Sequence, residues 1–157
     1  MRLTAYIIIG FSLFSCAKKK ENITTPVPVV SDFSIASWSV DGMGGSALFS
    51  NVSLSPSIRL QFSAAVNRSS ATAGIGLKEI SGTGQAVNIN ISFGNGDSVA
   101  IVQPVNPLQY LTRYELLVPA TLRSVQGGRF SPDTRLGLYT RLDSTRKFAT
   151  VTDEALL

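Results

Sequence analysis

The stretch that decides the fold is Ile58-Arg59-Leu60-Gln61-Phe62-Ser63, in which apolar and polar side chains alternate without a break. In a β-strand, successive side chains point to opposite faces, so this period places one face on a core and the other in water. We expect Leu60 and Phe62 to point inward, while Arg59 and Gln61 face the solvent.

The same alternation recurs along the chain. It is clear over 87–93, 113–118 and 135–142, where Leu136, Leu138 and Leu142 share one parity. Shorter strands are predicted at Asp32–Val40, Ile75–Ile80 and Asp97–Val102. About seven antiparallel strands therefore fall within residues 31–143, and we expect Leu116 and Val118 to share the core with Leu60 and Phe62.

Turn signals separate these strands. Gly, Asn and Asp are concentrated in four short segments: Asp41-Gly42, 81–84, Asn95-Gly96 and 127–128. Asn-Gly between two strand patterns favours a hairpin. No segment keeps a helical period, although Asn67–Ala73 could form one helical turn. An all-β chain of short, regularly spaced strands indicates a sandwich.

Three motifs resemble those of bacterial Ig-like domains of the S-layer type. The first is Leu54–Asn67, which contains a proline, an alternating strand and Phe-Ser. The second is Leu111-Thr112-Arg113-Tyr114, and the third is the turn Leu122–Gly128. The resemblance spans Phe33–Leu142. It implies an immunoglobulin-like β-sandwich used as a spacer or docking module in exported proteins. Tyr114 suits a tyrosine corner, in which its hydroxyl bonds to upstream backbone.

The first fifteen residues have the form of a secretory leader. Arg2 precedes the apolar run Ala5–Phe14, which is too short to span a bilayer and has the length of a signal-peptide core. Leu13-Phe14-Ser15-Cys16 resembles the lipobox of bacterial lipoproteins. That resemblance implies cleavage after residue 15 and lipidation of Cys16; the alternatives are a plain secretory leader or a buried free cysteine.

Residues 16–30 are predicted to form the lipidated cysteine and a tether. Lys18, Lys19 and Lys20 are strongly solvated, and Thr24–Val29 holds two prolines that favour extended backbone. The arrangement resembles lipoproteins of the Bacteroidetes type, which implies an outer-membrane anchor. Lipoproteins of this type that reach the cell surface often carry acidic residues just after the cysteine. Here Glu21 is the only acidic residue near the anchor, so the sequence does not decide between the periplasmic and the surface face of the membrane.

Composition narrows the function classes. The chain of 157 residues has no histidine and one cysteine, which excludes serine–histidine and cysteine–histidine catalysis, an internal disulfide and a cysteine-rich metal site. The net charge is +4, but the basic residues beyond the lysine run are scattered, so nucleic acid is not an expected partner. We expect no catalytic residue, no metal and no cofactor.

Two constellations admit a binding role. Trp38 with Tyr110 or Tyr139 could stack on a sugar ring, against the alternative of core or edge packing. Turn residues that could suggest calcium are Asp41, Asn95, Asp97 and Asp133. Each lies beside Gly or Pro, or in a turn where Asp and Asn are common, and no loop has the dense carboxylates of a calcium site.

The sequence therefore predicts an envelope-anchored accessory module with a protein or glycan partner and no catalysis. A carbohydrate-binding module is the alternative. Residues 144–157 form a tail or a helix start, since Thr152 can cap and two acids follow it. This segment resembles the junction in glucoamylase-like proteins, including endo-β-1,2-glucanases, so a truncated enzyme front end is a further alternative.

Overall fold

The computed structural model describes residues 32–82 and 84–145. The predicted leader, Cys16, the tether and nearly all of the predicted tail lie outside these residues. The described part is built from β-strands and one short helix, as the sequence predicts. None of its helices has the length and apolar character that a membrane crossing requires.

Ten strands and one helix follow each other along the described chain. They are β1 (Ile35–Val40), β2 (Met43–Gly44), β3 (Leu48–Val52), β4 (Ile58–Phe62), α1 (Arg68–Gly74), β5 (Gly76–Glu79), β6 (Ala86–Val87), β7 (Ile89–Gly94), β8 (Val99–Pro104), β9 (Arg113–Val118) and β10 (Thr134–Thr140).

The strands form two five-stranded sheets that enclose the core. The first sheet has the order β2-β1-β4-β8-β7, and the second has the order β3-β10-β9-β5-β6. All neighbours are antiparallel except β3 and β10, which run parallel. The described part is thus an immunoglobulin-like β-sandwich, and it departs from the predicted all-antiparallel pairing at β3 only.

The core confirms the predicted strand parity. Leu60 of the first sheet and Leu116 and Val118 of the second are fully buried, and Phe62 is nearly so. Arg59 faces the solvent. Gln61 is half-buried instead of exposed, because its amide donates to the carbonyl oxygen of Ser98 in the turn before β8 (3.2 Å).

Three features correct the sequence-based picture. The alternating run 87–93 is two strands, because the chain leaves the second sheet after β6 and enters the first at β7. β3 was not predicted, and neither was the two-residue β2. Leu142 does not share the buried face of Leu136 and Leu138, because β10 ends at Thr140 and Leu142 is 52% exposed.

Local signals for the helix and the hairpin are confirmed. The Asn67 side chain caps α1 by accepting a hydrogen bond from the Ser70 backbone (3.0 Å), which satisfies one free N–H of the first turn. Asn95 and Gly96 adopt φ of 50° and 61°. This left-handed geometry matches the twist of the β7–β8 hairpin that they connect.

Tyr114 forms the predicted tyrosine corner. Its ring is buried, and its hydroxyl accepts a hydrogen bond from the backbone N–H of Gln109, five residues upstream (3.0 Å). The contact fastens the loop before β9 to the core.

We expect Tyr114→Phe to lower the free energy of unfolding by about 1 kcal/mol, because it deletes the acceptor and keeps the ring. The amide of Gln109 should also exchange its hydrogen faster. Denaturant titration and hydrogen exchange measure the two effects. Tyr139→Phe, on an exposed ring, is the control and should change stability by less than about 0.5 kcal/mol. An equal loss of stability in the two variants would show that the Tyr114 hydroxyl makes no stabilising hydrogen bond.

Candidate functional site

Of the aromatic residues singled out from the sequence, Trp38 and Tyr139 do not form one platform, while Tyr110, 39% exposed in the loop before β9, stays a prediction as a partner of Trp38. Trp38 packs against the core from β1, and its indole N–H donates to the carbonyl oxygen of Ser46 (2.6 Å). Tyr139 lies in β10 of the other sheet with its ring outward, since its neighbour Leu138 is buried. A sugar platform that joins Trp38 to Tyr139 is therefore wrong, and the packing alternative holds for Trp38.

The candidate calcium residues lie in three turns, of which Asn95 and Asp97 share one, and their side chains have hydrogen-bond partners. Asp41 accepts a hydrogen bond from the Ser57 backbone (2.9 Å), and Asp133 accepts one from Ala120 (2.6 Å). Asn95 donates to the Ser98 hydroxyl (3.1 Å). Within 32–82 and 84–145, no three carboxylate or thiol side chains are grouped as a metal site would need.

Asp97 is held by an ion pair. Its carboxylate receives two hydrogen bonds from Arg68, at 2.7 and 3.0 Å. The bond and charge of Asp97 raise the pKa of the Arg68 guanidinium above its ordinary value. The same guanidinium lies over the Phe93 ring, 5.4 Å from its centroid. This carboxylate thus serves to position Arg68 on the sandwich.

An exposed apolar depression lies at the end of β10. It has a volume of about 260 Å³ and is lined by Ser50, Asn51, Leu111, Tyr139, Thr140, Arg141 and Leu142. Leu111 is 62% exposed and Tyr139 is 40% exposed. Exposed apolar side chains are thus grouped here around a concave surface, which is a common form of a binding site.

Thr140 fixes the floor of this depression. It is buried, and its hydroxyl donates to the carbonyl oxygen of Gln109 (2.6 Å) while accepting from the N–H of Thr112 (2.9 Å). These bonds hold the loop on both sides of Leu111, whose own N–H donates to the Arg141 carbonyl oxygen (3.2 Å). The Leu111 side chain consequently projects from a rigid support.

Leu111 adopts a left-handed backbone with φ of 51°. For a residue with a β-carbon this conformation costs about 1–2 kcal/mol, and an exposed side chain recovers little of that by burial. Strain of this kind is concentrated at functional sites. Leu111 therefore combines a strained backbone with an exposed side chain.

We expect Leu111→Gly to leave the free energy of unfolding within about 1 kcal/mol of the natural protein. Glycine adopts positive φ without strain, and this gain offsets its greater chain entropy in the unfolded state. Thermal unfolding measures the change, with Leu116→Ala as the buried control at a loss of about 2–5 kcal/mol. A loss at Leu111 comparable to that at Leu116 would show that Leu111 supports the core.

The rim of the depression is positively charged. Arg141 lines it, and the Arg113 guanidinium lies over the Tyr139 ring, 5.7 Å from its centroid. None of the residues that line the depression is acidic. An apolar floor with an arginine rim is complementary to an apolar side chain flanked by carboxylates.

A second depression, of about 270 Å³, lies between β5, β6 and the loop before β9. Its polar side chains are Glu79, Gln85, Asn88, Asn106 and Gln109. Amides and carboxylates can bond to the hydroxyls of a sugar. The sequence analysis missed this cluster, because its members come from segments that only the fold brings together.

Comparisons with solved structures show the fold at low identity. The chain is similar to the N-terminal part of the bacterial S-layer protein SbsC, at 13% identity over 70% of this chain and 24% of that one, with a TM-score of 0.48. The alpha-2-macroglobulin of E. coli gives 12% identity over 71% of this chain and 6% of that one, with a TM-score of 0.51. PcoC, a methionine-rich copper resistance protein from Escherichia coli, gives 15% identity over 71% and 100%, with a TM-score of 0.48.

The chain spans about a quarter of the S-layer fragment that it matches. A comparison with curated protein sequences gives no match. A family profile does match: that of the bacterial Ig-like domain covers residues 40–140, from the end of β1 to the end of β10 and more than half of the chain. The chain therefore belongs to the bacterial Ig-like domain family.

Proposed function

We propose that this chain is an accessory module, attached to the bacterial outer membrane through lipidated Cys16, that docks a protein partner and performs no catalysis. The observation that carries the proposal is the depression lined by Leu111, Tyr139 and Leu142. It combines three neighbouring exposed apolar side chains, a left-handed backbone at Leu111 and a loop held by the buried Thr140.

The depression supports a modest affinity. Full burial of a leucine contributes about 1.5–3 kcal/mol, and Leu111 and Leu142 are each exposed over half of their surface or more. Such a contact is weak alone. A tether that confines both partners to one membrane raises their effective concentration, and this raises the fraction that is bound. The tether would supply position, and the sandwich would supply a surface that keeps its shape.

The partner surface follows from the rim. Arg113 and Arg141 favour carboxylates on either side of an apolar side chain, since opposite charges steer association and fix its register. We therefore infer an acidic protein surface with a protruding aliphatic or aromatic residue.

Site-specific photocross-linking of the full-length protein in its own membrane tests this proposal. A benzophenone side chain in place of Tyr139 should give a discrete protein adduct. The same group in place of Arg59, which faces solvent on the first sheet, should not. Arg141→Glu should remove the Tyr139 adduct by reversing the rim charge. Identical adducts at both positions, or none at Tyr139, would contradict docking at this depression.

A carbohydrate-binding role is the second candidate, and the amide-rich depression beside Glu79 and Asn88 favours it. A glycan array probed with the protein should then show saturable binding that Asn88→Ala weakens. The matched control is Asn90→Ala, an exposed asparagine of β7 outside that depression. Absence of saturable binding would leave the docking role alone.

A further inference from the structure

The four edges of the two sheets differ in how they are protected. β2 and β6 are two residues long. β3 has an irregular register and a positive φ of 58° at Asn51. These are ordinary ways to blunt a sheet edge against further pairing. β7 is the exception, with six residues in regular register along β8.

The backbone direction of β7 follows from one hydrogen bond beyond its start. The N–H of Val105 donates to the carbonyl oxygen of Asn88 (2.9 Å), so even-numbered residues turn their backbone groups toward β8. By alternation, the N–H and C=O groups of Ile89, Ile91 and Phe93 point to the open edge. Within 32–82 and 84–145, no strand pairs with β7 on that side.

The sequence of β7 lacks the residues that usually protect an edge. It reads Ile89-Asn90-Ile91-Ser92-Phe93-Gly94 and contains no charge and no proline. Its apolar side chains are only half-buried, and they pack against the rim of the core. The Arg68 guanidinium that lies over Phe93 is paired with the Asp97 carboxylate.

We propose that β7 is a self-association edge that pairs with β7 of a second copy of this chain. From Ile89 to Phe93 the order of apolar and polar residues is the same in both directions, as a two-fold interface requires. In the antiparallel pair Ile91 lies opposite its own copy, Ile89 lies opposite Phe93, and Asn90 lies opposite Ser92. Six backbone hydrogen bonds then join the two first sheets into one continuous sheet.

Because β7 carries no charge, a second copy meets no repulsion, and an acidic or basic strand would gain no attraction from it. One strand pair is smaller than the roughly 1,600 Å² of a standard stable interface. The association should therefore be weak and dependent on concentration. It uses the first sheet, whereas the proposed docking depression lies at the second, so either can fail without the other.

Two double variants on the solvent face test the register. Asn90 and Ser92 are exposed, so their replacement should leave the fold intact. N90K/S92K places lysine directly opposite lysine twice across the two-fold axis. We expect the dissociation constant of the dimer to rise at least ~10-fold. N90K/S92E places lysine opposite glutamate twice and should keep or strengthen the dimer.

The measurement is the molar mass of the full-length protein in detergent by light scattering over a concentration series. As concentration rises, the natural protein should pass from monomer to dimer, while N90K/S92K should stay monomeric. Added salt should weaken the N90K/S92E dimer, which is held partly by ion pairs, and should leave the natural dimer unchanged. All three carry the same anchor, so association through the micelle affects them equally. A monomeric natural protein at every concentration, or equal behaviour of the two variants, would overturn the proposal.

Discussion

Phe62→Ala is expected to lower the free energy of unfolding by about 3–5 kcal/mol. The Phe62 side chain is 2% exposed, and its ring stacks on Phe33 with centroids 5.4 Å apart. Phe33 in turn meets the edge of Phe130 at 6.1 Å. Removal of the Phe62 ring leaves a cavity beside Phe33, and the loss is a large share of the 5–15 kcal/mol that stabilises an ordinary domain.

Arg59→Ala is the matched control, since Arg59 occupies the same strand with its side chain in solvent. The free energy of unfolding of this variant should fall by less than about 0.5 kcal/mol. Urea unfolding followed by fluorescence of the single tryptophan measures both variants. Equal shifts of the two midpoints would show that the parity of β4 is wrong.

The central strands could be predicted from the sequence because they bury one face only. Leu60 lies between Arg59 and Gln61, so the period of two is visible there without knowledge of the partner strand. The hairpin at Asn95-Gly96 and the helical turn over Asn67–Ala73 depend on adjacent residues, which explains why those local signals also sufficed.

β3 could not be predicted, because its buried residues do not alternate. Phe49 and Val52 are three positions apart, and the left-handed turn of the backbone at Asn51 brings both to the core. The break between β6 and β7 was hidden for the opposite reason. Val87 keeps the parity of Ile89, although the chain changes sheets between them.

The candidate site is only partly visible in the sequence. The outward direction of Tyr139 follows from the alternation of β10. The depression itself arises where the parallel pairing of β3 with β10 brings Asn51 near Leu142. The exposure and left-handed backbone of Leu111 depend on the hydrogen bonds of buried Thr140, which no local pattern reveals.

Cys16→Ala is expected to abolish acylation and to block removal of the leader. A buried acyl chain contributes about 0.8 kcal/mol per methylene, and two or three chains anchor a protein stably. The lysines at 18–20 contribute about 1 kcal/mol each near an anionic surface, so they cannot replace these chains. We expect the variant to accumulate as the larger precursor without acyl chains, while the sandwich melts at an unchanged temperature.

Metabolic labelling with palmitate tests the anchored module most directly. The natural protein should carry label that resists hydroxylamine at the amide-linked chain, and its amino-terminal peptide should begin with diacylglyceryl-modified Cys16. The Cys16→Ala protein should carry none. Label on Cys16→Ala to the extent found in the natural protein would contradict lipidation at this residue, and with it the account of the chain as a lipid-anchored Ig-like module.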